Sequence, residues 1–221
     1  RNTKYESWWG VPSLPKFNWN SSQLRDRFIR GKDSVVAKWL KAPYQLDGWR
    51  IDVANMTGKI RDEDHSTEVA DSIRLTMHTV NPDSFLIGEF TSDAAESIQG
   101  KNYQAAMTYS NFTRPVWRWL WNQEVKTEEN QIGPGRKGIT AEQFRELHSS
   151  FASTFPWHVR LHNLNALDTH DTGRFKTFAI PDSQRVAAGL QFTMPGIPMI
   201  FAGDEFGLEG ENGEASRTPI P

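Results

Sequence analysis

Gly48-Trp49-Arg50-Ile51-Asp52-Val53 is the stretch that decides the fold. A short run of aromatic and β-branched residues between polar segments is typical of a β-strand. Residues 65–80 come next, with a helical pattern that places Ile73 and Met77 on one face. Residues 84–88 are then a second apolar run of strand length. Strand, helix and strand in this order are the unit from which parallel sheets are built.

The same alternation continues along the rest of the chain. It predicts a parallel sheet with right-handed crossovers, and so an α/β fold. Five strands are too few to close an eight-stranded (β/α) barrel, so the sequence would cover part of one. The remaining strands are expected at residues 105–108, 165–168 and 197–202, and the remaining helices at 34–40, 115–124, from 140 onward and 183–192.

The first 33 residues differ in character from the rest of the chain. They are rich in Pro, Asn and Trp with little periodicity, which favours an irregular excursion over a packed element. We expect residues 1–33 to be the end of an inserted irregular subdomain and residues 34–221 to be the C-terminal part of the barrel. The chain has no initiator Met and ends in Thr-Pro-Ile-Pro. We therefore expect an internal piece of a longer protein.

Composition argues against several classes of protein. The chain has 25 Lys and Arg against 27 Asp and Glu, without a basic stripe, which argues against nucleic acid as a partner. Its longest apolar run, 196–202, is too short to span a bilayer, and residues 1–9 lack the apolar run of a signal peptide. We expect no membrane association and a cytoplasmic location. The absence of Cys excludes a disulfide framework, and the sequence leaves the oligomeric state open.

The nine tryptophans are more than a core of this size requires. Indole rings near carboxylates suit stacking against the apolar faces of sugar rings. The alternative is that they are core or interface anchors whose N–H groups are satisfied. Both interpretations stay open for those that lie among polar or turn residues, which are Trp8, Trp9, Trp19, Trp117, Trp119 and Trp121.

Acidic residues follow three of the predicted strands. Asp52 and Glu89 close the first and second strands, and Asp171 comes just after the fourth. In a (β/α) barrel the chemistry lies at these carboxyl ends. One acid after a strand is more often a helix cap or a surface ion pair. Three at separate strand ends, one with Arg50 two residues before it and one with His170 directly before it, favour a functional site.

The surroundings predict different states for two of these carboxyls. Arg50 and Asp52 are two residues apart on a strand and point to the same side, so the arginine favours the ionised carboxylate that a nucleophile needs. Glu89 follows an apolar run, which favours its protonated form. An acid and a nucleophile separated in this way are the pair that retaining glycosidases use.

The motifs around these acids resemble a known series. Residues 48–55 (Gly-Trp-Arg-Ile-Asp-Val-Ala-Asn), 88–90 (Gly-Glu-Phe), 169–171 (Thr-His-Asp) and 203–207 (Gly-Asp-Glu-Phe-Gly) resemble, in order, the motifs of the α-amylase superfamily of retaining α-glycosidases. Residues 5–10 (Tyr-Glu-Ser-Trp-Trp-Gly) look most like the neopullulanase, cyclomaltodextrinase and maltodextrin-glucosidase branch. This resemblance covers nearly the whole chain and implies strands four to eight of a (β/α)8 barrel.

The resemblance implies a role for each matching residue. Asp52 would be the nucleophile and Glu89 the general acid/base of a hydrolase acting on α-glucans or maltodextrins. Asp171 would grip the hydroxyls of the reacting sugar. The residues that would assist in binding substrate are Arg50, which orients Asp52, His170, which donates a hydrogen bond to the same sugar, and Asn55 and Met56 on the leaving-group side.

The sequence also departs from the family pattern. The Asp, Asn and His cluster of the third barrel strand has no counterpart here, and Asn55 stands where many members have His. No cofactor and no catalytic metal are implied. A structural calcium ion is not assignable, since the acidic run at 62–64 suits a solvated helix start. Two rivals remain: a transglycosylase with the same fold, and a non-catalytic homologue that binds sugar or protein.

Overall fold

The computed structural model describes residues 4–91, 94–122 and 137–221. These residues form two compact units, the first from residues 1–89 and 97–104 and the second from residues 90–96 and 105–221. No helix in the described ranges has both the length and the apolar content to cross a bilayer. The predicted domain boundary at residue 33 stays a prediction.

The first unit contains a pair of parallel strands and a small antiparallel ribbon. Strand β1 (Gly48–Ile51) is followed by the ribbon of β2 (Lys59–Ile60) and β3 (Glu63–Asp64), and then by β4 (Phe85–Phe90). Strands β1 and β4 are parallel, with Ile51 opposite Gly88. Because Asp52 and Glu89 are each the next residue, the two acids emerge side by side at the same end of the pair.

Three helices accompany these strands, α1 (Ser22–Arg25), α2 (Val35–Leu40) and α3 (Ser66–Val80). The side chain of Ser34 caps α2 by accepting a hydrogen bond from the Ala37 N–H. Trp49 donates its indole N–H to the Val36 carbonyl at 3.2 Å, so this side of β1 faces α2. The expectation of an irregular start is wrong for residues 22–30, where α1 runs into a π-helical turn.

The second unit contains three parallel strands, β5 (Ala105–Thr108), β6 (Leu164–Ala166) and β7 (Ile197–Met199). Each predicted strand is present, but β6 and β7 are shorter than predicted, and Asp168 lies beyond β6. The helix predicted from residue 140 onward is present, and Thr140 and Gln143 form a capping box at its start. Within residues 94–122 and 137–221, the helices are α4 (Arg114–Leu120), α5 (Ala141–Ser153), α6 (Trp157–Arg160), α7 (Phe175–Phe178) and α8 (Gln184–Thr193).

Trp117 lies in the apolar core of the second unit. It is buried against Phe175 and Phe178 and donates its N–H to the Leu167 carbonyl at 2.5 Å. Trp119 stacks on Phe144 beside the same core. Both are therefore packing residues. The predicted helix at 115–124 ends at Leu120, and Glu124 lies outside the described residues.

Candidate active site

Arg50, Asp52 and Glu89 form one contact group at the end of β1 and β4. The two terminal nitrogens of Arg50 divide between the acids, since Nη1 contacts Asp52 Oδ1 and Nη2 lies 3.2 Å from Glu89 Oε2. Parallel register brings the acids together, and the two-residue spacing puts Arg50 on the side of Asp52. One guanidinium therefore bridges two carboxyls that are 37 residues apart in the numbering.

The two carboxyls differ sharply in exposure to solvent. The Asp52 side chain is 73% exposed, whereas that of Glu89 is 6% exposed. Burial of Glu89 follows from its place inside β4, where Gly88, Glu89 and Phe90 are all buried. The arrangement supplies one open carboxylate, suited to attack, and one enclosed carboxyl, suited to proton transfer.

The chain turns back directly after Asp52. Val53 adopts a left-handed backbone conformation with φ of 45°, and its N–H donates to Glu89 Oε2 at 2.8 Å. Asn55 and Met56 lie in this turn, half-buried, and the Met56 N–H donates to the Val53 carbonyl at 2.9 Å. The first unit thus brings together five of the seven predicted site residues.

His170 and Asp171 lie in the second unit, in the segment that follows β6. Their side chains contact each other at 3.3 Å, and both are about half exposed. Arg217 lies 3.6 Å from Asp171 Oδ1 and donates to the His170 carbonyl at 2.9 Å. Nothing in the sequence around Arg217 indicated this contact, because it joins positions more than 40 residues apart.

A buried ionic cluster lies close to this segment and was not predicted. Arg174 is 1% exposed and lies 2.9 Å from Asp204 Oδ1 and 3.9 Å from Asp168 Oδ1. The guanidinium also donates to the main-chain carbonyls of Phe201, at 3.1 Å, and Ala202, at 2.8 Å. A charged residue in so apolar a setting requires this many acceptors.

The two acids of this cluster hold protons more tightly than usual. Burial raises the pKa of Asp168 to about 8, and the adjacent charge of Asp204 adds to the effect. Burial also raises the pKa of Asp204, against the lowering effect of hydrogen bonds with Asp168 and Arg174. Of the donors in the described residues, none reaches Asp168 Oδ1 or Asp204 Oδ2. A proton held by Asp168 supplies the donor that this pair lacks.

No group of three or more His, Asp or Glu side chains in the described ranges is placed to hold a metal ion. In the acidic run at residues 62–64, Glu63 and Asp64 form strand β3. Asp64 alone contacts the start of α3, where its Oδ1 accepts the Ser66 N–H at 2.9 Å, so the predicted helix start holds for this one residue.

Comparison with known proteins identifies the family. Residues 2–219 match the family model of the alpha amylase catalytic domain. The chain belongs to this family. Neopullulanase 2 from Thermoactinomyces vulgaris is 28% identical over 212 residues, which is 95% of this chain and 31% of that protein. A cyclomaltodextrinase from a Bacillus species is 26% identical over 96% of this chain and 34% of that protein.

A solved structure agrees with the alpha-amylase assignment. The debranching enzyme of Nostoc punctiforme superposes with a TM-score of 0.81 at 26% identity, over 96% of this chain and 41% of that one. The predicted fold class, part of a (β/α)8 barrel, is therefore confirmed, as is the resemblance on which it rested. The chain spans about a third of the length of the curated relatives it matches.

Proposed function

We propose that the protein is a retaining glycoside hydrolase that cleaves α-glucosidic bonds of α-glucans or maltodextrins. The observation that carries the proposal is the Arg50 bridge between an exposed Asp52 and a buried Glu89. A retaining mechanism requires two carboxyls about 5–5.5 Å apart, and two acids on one guanidinium suit that requirement. The relatives' names, neopullulanase and cyclomaltodextrinase, support the substrate class.

In the first step Asp52 attacks the anomeric carbon of the sugar. A carboxylate oxygen of Asp52 forms the new carbon–oxygen bond while the glycosidic bond breaks. Glu89 gives its proton to the departing oxygen, so the leaving sugar departs as a neutral alcohol. Arg50 stays charged throughout and keeps the unprotonated carboxylate of Asp52 oriented for attack.

In the second step Glu89 acts as a base. It takes a proton from water as the water oxygen attacks the anomeric carbon, and the bond to Asp52 breaks. Two inversions at one carbon retain its configuration. If a sugar hydroxyl replaces water, the same step gives a transfer product, so transglycosylation differs only in the acceptor.

The other predicted residues have proposed roles that rest on the family. Asp171 and His170 would hold hydroxyl groups of the reacting sugar, which their half-exposed side chains, 3.3 Å apart, permit. Asn55 and Met56 would contact the leaving group. We also propose that residues 34–221 are the C-terminal part of the catalytic barrel. A cytoplasmic location is proposed by analogy with the intracellular maltogenic amylase of Bacillus subtilis.

The test uses the full-length gene product that contains this sequence. It should release reducing sugar from maltodextrin, and its Glu89→Gln variant should accumulate a covalent glycosyl-enzyme when given α-glucosyl fluoride. Fluoride departs with little protonation, whereas water attack still requires the missing base. Mass spectrometry of peptides should locate the added sugar on Asp52.

The matched control is the double variant Asp52→Ala/Glu89→Gln, which has no nucleophile and should form no adduct. Transfer products without reducing sugar would identify a transglycosylase. Binding of maltodextrin with neither product would favour the non-catalytic homologue and defeat the proposal.

A further inference from the structure

Val53 is held in a backbone conformation that β-branched residues avoid. Its φ of 45° lies in the left-handed region, where a Cβ carrying two further carbons is crowded against the backbone. Such a conformation persists only where surrounding contacts enforce it, and it is concentrated at functional sites. This strained residue directly follows Asp52, the proposed nucleophile.

Several hydrogen bonds enforce the strained turn. The Val53 carbonyl accepts from the Thr57 N–H at 3.1 Å, and the Thr57 hydroxyl lies 3.3 Å from the carbonyls of both Asp52 and Val53. On the other side, the Ala54 N–H donates to the main-chain carbonyl of Glu89 at 3.0 Å. The turn is thus fixed both to Thr57 and to strand β4.

The N–H at the start of this turn contacts the proposed acid/base. The Val53 N–H donates to Glu89 Oε2 at 2.8 Å, and Arg50 Nη2 approaches the same oxygen at 3.2 Å. With a donor and a cation on Oε2, a proton on that oxygen would be repelled by both. The proton of the carboxylic acid is then carried on Oε1.

We infer that Val53 is a positioning residue for the acid/base. Its main-chain N–H, fixed in place by the strained turn that follows it, holds Glu89 Oε2 and leaves Oε1 to exchange the proton with the glycosidic oxygen. The inference rests on the proposed function and adds to it the group that orients the acid. The hydrogen bonds of the turn to Thr57 and to strand β4 keep this N–H beside Glu89.

The test removes this single N–H from the full-length gene product. Replacing Val53 by 2-hydroxyisovalerate turns the amide into an ester and keeps the side chain. We expect kcat/KM on maltodextrin to fall about tenfold, the effect of one lost hydrogen bond to an acid/base. On α-glucosyl fluoride kcat/KM should change less than about twofold, since that leaving group needs little protonation. A purely structural defect would lower both values equally.

Two matched variants separate positioning from general damage. Replacing Ala54 by lactate removes the neighbouring hydrogen bond to the Glu89 main chain, and it should leave the ratio of the two kcat/KM values as in the wild type. Val53→Gly keeps the N–H and adopts the left-handed region freely, so its ratio should also be unchanged. A ratio that shifts in either control, or stays constant in the Val53 ester, overturns the inference.

A stability measurement tests the hydrogen bond independently of activity. The Val53 ester and Glu89→Ala remove the same bond, so their effects on the melting temperature should combine to less than their sum. The Ala54 ester and Glu89→Ala should be additive. If the wild type shows no turnover, the proposed function fails, while additivity for the Val53 pair would overturn the contact itself.

Discussion

Two clusters in this protein have the same composition and opposite surroundings. Each has one arginine and two carboxyls, Arg50 with Asp52 and Glu89 in the first unit, and Arg174 with Asp168 and Asp204 in the second. In the second cluster both carboxyls and the arginine are at most 11% exposed, whereas Asp52 is 73% exposed.

The roles proposed for the two clusters follow from this difference in exposure. A buried cluster uses its electrostatic attraction to offset the loss of hydration, so its net effect is to join segments of the fold. The exposed carboxylate of Asp52 is accessible to a substrate, as the proposed nucleophile must be. Similar sets of charged groups can therefore be assigned different roles, according to which of their carboxyls solvent reaches.

The largest expected difference between the two clusters is in turnover, and a matched pair of acid-to-amide variants measures it. Asp52→Asn in the full-length gene product should lower turnover on the order of 10⁶-fold, as removal of a covalent nucleophile does elsewhere. Asp168→Asn should keep measurable turnover, because that carboxyl is sealed from substrate. Steady-state release of reducing sugar checks both. Equal losses of turnover in the two variants would contradict the different roles proposed for the two clusters.

The next effect is on stability, where the second cluster should matter more than the first. Arg174→Met leaves two buried carboxyls, and the carbonyls of Phe201, Ala202 and Ser216, without their cation, so we expect a loss of about 3–5 kcal/mol. Arg50→Met should cost less, about 1–2 kcal/mol, because Asp52 is exposed and the buried Glu89 keeps the Val53 N–H as a donor. Melting temperatures measured by calorimetry should rank wild type, Arg50→Met and Arg174→Met from high to low. An Arg50→Met variant that melts first would contradict this ranking.

The last effect is a dependence of stability on pH. The pKa of Asp168 is raised to about 8 in the folded state from an ordinary value of 3.8, so between these values the native state binds the extra proton. The free energy of unfolding should therefore fall as pH rises through this range, by at most about 1.4 kcal/mol per pH unit, and level off above it.

The control for this pH dependence is Asp168→Asn, which has no proton to lose at that position. Melting temperatures are measured from pH 5 to 8. As pH rises, the melting temperature of the wild type should fall relative to that of the variant. Taking the difference cancels the exposed carboxyls Glu6, Glu63 and Glu68, whose lowered pKa values act in the opposite sense. A difference that does not change with pH would show that Asp168 is ionised throughout.

Strand and helix positions could be predicted because their causes are local. Short apolar runs between polar segments located β1, β4 and β5 to within two residues, and the helix expected from residue 140 onward begins there as α5. The short helix at residues 22–25 was missed, since its one turn is too brief for periodicity to register.

The sequence by itself determined the acids at strand ends, the arginine on the side of Asp52 and, through motif order, the family. These features depend on spacing along one strand or on residue identity, and both can be read directly from the sequence. Only the tertiary structure decided that Arg174 is buried between two acids, that Arg217 reaches Asp171 and that the Val53 N–H meets Glu89. Such contacts join segments that are far apart in the chain. Their chemistry depends on burial and on backbone direction, which exist only once the chain has packed.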